Sequence, residues 1–273
     1  MMLIRFRWGT AVLLAALANG AAQADTHGPS AAKTPSTVAE IQACMSANLV
    51  GRAALRDLGV KVTDRENKQH SLRMKLYWKP GAKGQTRLNL RLLEPAATRG
   101  SSYLMLQSGG KEEVYFWLPA ADRPLRITGE NTNEPLWGTD FSYGEIKQVL
   151  GLLAVGDSTL KPEAKVGNRT VWVLETQTSM AESGYQKVLS YVDQTSCTLL
   201  KSEFFAKAET PRKVLEADLS SLFQIDKYWT VLGYTMRDLR AGSRTEISLS
   251  EFSIDERLPE HLFEPKRFFE PFD

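Results

Sequence analysis

The sequence predicts a mainly β, α+β protein: a curled antiparallel sheet of about ten strands, with one helix ahead of it and a second inserted midway. Three observations lead there. Apolar and polar residues alternate with period two along most of the chain. Strand-like runs succeed one another across short turns, without the crossover helices that parallel strands require. Helical spacing is confined to two short stretches, one starting at Val38 and one at Ile146.

The chain opens with Arg5 and Arg7, an uncharged apolar stretch from Trp8 to Ala18, and the small-residue ending Ala22-Gln23-Ala24 before Asp25. That order is the pattern of a secretory signal peptide cleaved after Ala24. An apolar run of about 11 residues is too short for a bilayer, which takes about 20. No cysteine follows the cleavage point, so no lipid anchor is expected there. Residues 25–37 are small, polar and Pro-containing and read as a flexible leader. Residues 38–273 read as one β domain.

Thr37 caps the first helix, and Glu40 completes a capping box. Val38, Ile41, Met45 and Leu49 then share a face, with Cys44 beside them. From residue 72 the period becomes two. Leu72, Met74, Leu76 and Trp78 alternate with Arg73, Lys75, Tyr77 and Lys79, and Leu88, Leu90 and Leu92 alternate with Arg87, Asn89 and Arg91. Each strand thus has an apolar face and a basic, polar one. Pro80 to Gly84 is the turn that makes them a hairpin. Tyr103–Leu106 and Val114–Leu118, around Ser108-Gly109-Gly110, are apolar or aromatic on both faces, so both faces need covering.

The inserted helix is expected after Asp140, where Ser142 and Glu145 form a second capping box and Ile146, Val149, Leu150 and Leu153 follow at helical spacing. Residues 170–178, 187–193, 198–205, 214–219, 228–238 and 245–255 complete the strands.

Charge and composition exclude several classes. The full chain carries 34 basic and 32 acidic residues; cleavage removes Arg5 and Arg7 and leaves a formally neutral chain. Such a chain offers no electrostatic footprint for DNA or RNA. His27, His70 and His261 are scattered, and with two cysteines they make no metal-ligand pattern. Cys44 and Cys197 either form a disulfide, which an oxidising compartment would favour, or remain buried thiols. No nucleophile elbow, phosphate loop, zinc helix or C-x-x-C is present. Glu112 and Glu113 read as a solvated turn flank, and Asp140 with Glu145 as helix-start electrostatics. Neither an enzyme nor a cofactor is expected.

Three stretches carry a resemblance: Tyr115-Phe116-Trp117-Leu118-Pro119, Arg123 to Ile127, and Trp137 to Tyr143. Tyr191-Val192-Asp193, Cys197 to Phe204, Tyr228-Trp229, Met236-Arg237-Asp238 and the closing Leu258-Pro259 with Leu262-Phe263 extend it over residues 38 to 265. Together they resemble the LolA-like proteins, outer-membrane lipoprotein-sorting proteins of the periplasm. The resemblance implies a half-open antiparallel barrel with helices over its concave side and acyl chains bound in an apolar cavity between them. It further implies loading by an inner-membrane transporter and delivery to an outer-membrane acceptor.

On that reading the cavity wall is Leu72, Met74, Leu76, Trp78, Leu88, Leu90, Val114 and Phe116, with Ile146 and Leu150 from the inserted helix. The function expected is a periplasmic carrier of a lipid or lipoprotein. The competing expectation is a periplasmic regulatory or accessory module that uses the same fold to sense lipids or mislocalised proteins. A lipid-modifying enzyme is a third, and it would require Asp140 or Glu145 to face the cavity beside another titratable group.

Overall fold

The computed structural model describes residues 35–48, 54–81, 85–109, 111–225, 227–254 and 257–272. The expected signal peptide, the leader up to Thr34, Leu49 and the turn residues Ala82 to Gly84 lie outside the described residues.

Helix α1 (Val38–Ala47) starts as its sequence dictates. The Thr37 hydroxyl accepts from the Glu40 N–H while the Glu40 carboxylate reaches back to the Thr37 N–H, a complete capping box. Donors from Ser36 and Thr37 draw the Glu40 carboxyl down to about 2. Ile41 and Met45, one turn apart, are the buried residues of this helix.

The strands follow in order: β1 (Ala54–Thr63), β2 (Gln69–Pro80), β3 (Thr86–Glu94), β4 (Ser102–Ser108), β5 (Lys111–Trp117), β6 (Leu125–Ile127), β7 (Asp157–Val166), β8 (Arg169–Gln177), β9 (Lys187–Asp193), β10 (Leu199–Phe205), β11 (Lys213–Ala217), β12 (Leu222–Ile225), β13 (Tyr228–Val231), β14 (Gly233–Asp238) and β15 (Ser243–Ile254). A four-residue helix α2 (Met180–Ser183) sits between β8 and β9. Thirteen strands form one sheet in the order β6-β5-β4-β3-β2-β1-β15-β14-β11-β10-β9-β8-β7, and β12 and β13 form a separate hairpin. All the pairings are antiparallel.

The sheet is open, with β6 and β7 as its free edges. Laid flat it would be roughly 60 Å wide at the usual strand spacing. Instead one hydrophobic cluster unites Leu76 of β2, Val114 of β5, Trp172 of β8, Val188 of β9 and Ile247 of β15 with Ile41 of α1. The sheet therefore curls around a shared interior.

The structure corrects three expectations. The sheet is open and has thirteen strands, where a half-open barrel of about ten is expected. The extra strands carry weak patterns: β1 is interrupted by Gly59, β6 has three residues, and β7 is an exposed edge containing Pro162 with a register shift between Lys161 and Ala164. The expected strand 228–238 divides at Leu232 into β13 and β14, which belong to different sheets. The inserted helix is a 3₁₀ turn, Ile146–Leu150, ended by Gly151 at φ 80°. β-Branched Ile146 and Val149 and a terminating left-handed glycine favour a turn this short.

The basic face of β2 and β3 is covered too. The Asn89 amide, fully buried, donates to the carbonyls of Leu262 and Phe268 at 2.7 and 2.8 Å. Arg91 donates to the carbonyls of Phe269 and Glu270. Lys79 and Arg87 both hold Glu260 at 2.6 Å. The tail thus lays Leu258, Leu262, Phe263 and Phe268 on Tyr77 and Leu104, covering the outer face of β2–β5. Seen from sequence, the polar side chains of β3 suggest a solvated face. In the fold Asn89 and Arg91 are donors for tail carbonyls, and Arg87 pairs with the Glu260 carboxylate.

Candidate binding site

The inner face of the sheet is covered by α1 and by residues 128–155, which contain only 3₁₀ turns. This cover is fastened at chosen points. The Tyr103 hydroxyl on β4 donates to the Tyr143 carbonyl at 2.8 Å. Asp140 accepts from the hydroxyls of Ser243 and Thr245 on β15, and its N–H donates to Thr245 at 2.8 Å. The Glu145 carboxylate accepts from the Ser142 N–H at 2.8 Å, from Lys213 at 2.9 Å and from the Tyr185 hydroxyl. Burial first, then the neighbouring Glu145 charge, pushes the Tyr185 hydroxyl well up from 10. It remains a protonated donor at neutral pH.

Glu145 thus keeps the expected reach back to the Ser142 N–H, and both Asp140 and Glu145 also cross-link the cover to the sheet. Glu112 is not a solvated turn residue: it forms an ion pair with Lys147, whose side chain is 4% exposed. Trp137 in the cover has φ 49°, a left-handed conformation that a large side chain rarely adopts, and its indole N–H is buried without a hydrogen-bond partner. Strain and an unpaired donor sit in the one covering segment without regular structure.

Among the described residues, two hollows border the cover and the sheet. The larger, about 500 Å³, is at the mouth where the sheet's two ends approach. Its wall comes from Val114 and Ile127 on one side, Val188, Phe204 and Tyr185 on the other, and Ser142, Gly144, Glu145, Lys147 and Gln148 with Ala154 and Val155 from the cover. Its volume is within the range of about 300–1,000 Å³ usual for small-molecule sites, and barrel mouths are a favoured location for them. The smaller, about 60 Å³, lies under the end of α1, among Met45, Arg56, Leu76, Trp78, Leu150, Cys197, Trp229 and Tyr234. Burial pushes the Arg56 guanidinium down to about 10, with Tyr234 partly opposing it. Arg56 donates to the Thr230 hydroxyl at 3.3 Å.

Cys44 and Cys197 form a disulfide, with Cα atoms 5.7 Å apart, that ties α1 to the β9–β10 turn. Asn48, the C-cap of α1, adds hydrogen bonds to the Ser196 carbonyl and the Trp229 N–H.

Of the expected wall residues, Val114 borders the larger hollow, and Leu76, Trp78 and Leu150 border the smaller. Leu72, Met74, Leu88, Leu90, Phe116 and Ile146 border neither, and pack side chain to side chain in the inner core. The sequence singled out neither Lys147 nor Gln148, because polar residues inside a helical pattern read as its solvated face. Tyr185, Val188 and Phe204 come from a distant part of the chain, and no local pattern links them to Val114.

A family model with the description "Uncharacterized protein" matches residues 84–269. No curated protein matches the sequence. Among solved structures, a DUF1329 family protein from Desulfovibrio piger is similar at TM-score 0.72 and 21% identity, over 82% of this chain and 95% of that one. A "putative outer membrane lipoprotein-sorting protein domain" from Vibrio parahaemolyticus gives TM-score 0.71 and 21% identity, over 82% and 94%. A LolA superfamily protein from Nitrosomonas europaea gives 0.63 and 17%, over 84% and 98%. With the family model matching most of its length and these neighbours sharing its curled sheet, the chain belongs to that "Uncharacterized protein" family and has a LolA-like fold.

Proposed function

We propose that this protein is a non-enzymatic periplasmic carrier that takes up the acyl part of a lipid or lipoprotein between its sheet and its cover. The observation that carries this reading is the cavity of about 500 Å³ at the mouth of the curled sheet, which opens next to a predominantly apolar inner core. Among the described residues, Leu72, Met74, Leu88, Leu90, Phe116 and Ile146 pack against one another and border neither of the two hollows. Uptake therefore begins at the mouth and deepens as the cover lifts. Leu72, Met74, Leu76, Trp78, Leu88, Leu90, Val114, Phe116, Ile146 and Leu150 then become the wall of the acyl site.

The energetics suit transport. Each buried methylene contributes about 0.8 kcal/mol, so a long tail would gain on the order of 10 kcal/mol over exposure to water. Release needs a state in which the cover gives part of that back. The cover's irregular backbone, the left-handed Trp137 and its unpaired indole N–H make it the segment suited to move. Periplasmic residence is supported by the leader sequence and by the Cys44–Cys197 disulfide. An inner-membrane donor and an outer-membrane acceptor follow if the cargo is a lipoprotein, as the name of the Vibrio parahaemolyticus domain suggests by analogy.

The test is uptake. Delipidated protein mixed with a fluorescent fatty acid should give saturable, roughly one-to-one enhancement, reversed by unlabelled long-chain lipid. A folded protein that shows no saturable uptake would instead favour the regulatory reading.

A further inference from the structure

The two hollows share walls. On one side, directly paired residues form a single row across neighbouring strands. Trp78 of β2 stands opposite Leu88 of β3, Leu88 opposite Met105 of β4, and Met105 opposite Val114 of β5. Trp78 borders the hollow under α1 and Val114 borders the mouth, three strand spacings away, or about 14 Å. On the other side, β10 carries Leu199 at the inner hollow and Phe204 at the mouth, about 16 Å apart at the rise of a strand. All six side chains belong to one apolar cluster. Two walls of similar length thus lead from one hollow to the other.

The 3₁₀ turn Ile146–Leu150 divides them. Lys147 and Gln148 border the mouth, whereas Val149, Leu150 and Gly151 border the inner hollow. This partition is fastened unequally. Its start is tied to the sheet through Glu145 with Lys213 and Lys147 with Glu112. Its continuation, residues 149–155, carries no polar side chain. Among the described residues, its hydrogen bonds stay within the cover, from Gly151 to the Gln148 carbonyl and from Leu152 to the Lys147 carbonyl. A hydrocarbon tail sliding beneath it exchanges one apolar contact for another, at little cost.

The polarity of the two ends sets a direction. Lys111, Glu112, Glu113, Arg126, Glu145 and Lys147 line the mouth, while Arg56 is the one charged side chain among the described residues of the inner hollow. A polar ligand end therefore loses less hydration at the mouth than inside.

We infer that the two hollows are the ends of one channel for a single long, unbranched acyl chain. Its polar end stays at the mouth and its methyl end lies beneath α1, among Met45, Trp78 and Trp229; the turn Ile146–Leu150 is the partition that shifts to admit it. This rests on the acyl-binding reading above and adds the path of the tail. A chain too short to pass the partition occupies the mouth alone.

The experiment is photocrosslinking of the whole protein with two palmitic acid probes, followed by peptide mapping. One probe carries a diazirine at its methyl end, the other beside its carboxyl group. The methyl-end probe should label chiefly the peptides with Met45, Trp78 or Trp229, and the carboxyl-end probe those with Val114, Tyr185 or Phe204. Ala54 is buried and borders the inner hollow, so Ala54→Leu fills it. That variant should weaken palmitic acid on the order of tenfold, the loss of about two buried methylenes, and leave octanoic acid unchanged. Methyl-end label confined to the mouth peptides, or equal weakening of both acids by Ala54→Leu, overturns this inference and leaves acyl binding standing. Failure of both probes to bind overturns acyl binding as well. The labelling comparison uses the wild type and is decisive even without a folded variant.

Discussion

Lys213 on β11 holds its ammonium 2.9 Å from the Glu145 carboxylate and 2.7 Å from the Asp140 carbonyl, so one strand residue grips the cover at two points. The side chains of Lys213 and Glu145 are 7% and 5% exposed. A buried pair of this kind stabilises little on balance but is costly to break on one side, because the surviving charge is left unpaired. Lys213→Met should therefore cost about 3–5 kcal/mol in denaturant unfolding and speed hydrogen exchange across residues 140–153. Lys213→Met with Glu145→Gln should recover part of the loss. A cost below about 1 kcal/mol for the single variant would show that the cover is held by something else.

Acid stability should depend on Asp193. Its carboxyl is nearly inaccessible, and burial pushes it up. Two Arg169 hydrogen bonds at 2.7 Å and the Ser196 N–H and hydroxyl outweigh that and hold it below its ordinary 3.8. A carboxyl depressed in the folded state contributes its stability above its unfolded pKa, and that contribution is lost as pH falls through the folded value. Asp193→Asn should cost on the order of 2 kcal/mol at pH 7. The gap to the wild type should narrow below about pH 4 in urea titrations. A gap that is constant from pH 7 to pH 2.5 would contradict the assignment.

The disulfide joins residues 153 positions apart. Opening so long a loop in the unfolded chain should cost about 5 kcal/mol in the chain-entropy account, with measured values often smaller. Cys44→Ser with Cys197→Ser should lower the denaturant midpoint accordingly. It should also raise proteolysis within α1, whose anchors would be reduced to Ile41, Met45 and the Asn48 hydrogen bonds. An unchanged midpoint would mean that the helix stays docked without the bridge.

Ala154, small and only partly buried at the mouth, is the position at which to plug the larger cavity. Ala154→Trp should weaken uptake of a fluorescent fatty acid at least tenfold while shifting stability by less than about 1 kcal/mol. Leu90→Ala, in the fully buried core, should by contrast cost about 2–5 kcal/mol of stability. If plugging the mouth leaves uptake intact, ligand enters elsewhere.

Much of this fold is legible in the sequence, because strong local signals coincide with what burial demands. The Thr37–Glu40 capping box starts α1, and the leucines of β2 and β3 do face the interior. Tyr103–Leu106 and Val114–Leu118 read as covered on both faces, and the 128–155 segment and the C-terminal tail cover them except at Leu118, which is exposed. What local pattern conceals is anything decided by a distant partner. β7 hides behind Lys161, Pro162 and Glu163, because an exposed edge strand has no apolar face to keep. Asn89 and Arg91 look solvated until the tail supplies carbonyls for them. The mouth joins Val114, Val188 and Phe204 only through curling of the sheet, and Gln148 only through docking of the cover.

The most direct test of acyl binding is native mass spectrometry of protein taken straight from the periplasm, followed by organic extraction of whatever it carries. The account predicts a stoichiometric adduct that yields an acylated molecule and disappears with Ala154→Trp. Protein emerging at the mass of the bare polypeptide, with nothing extractable and no saturable uptake of added acyl ligand, would contradict it.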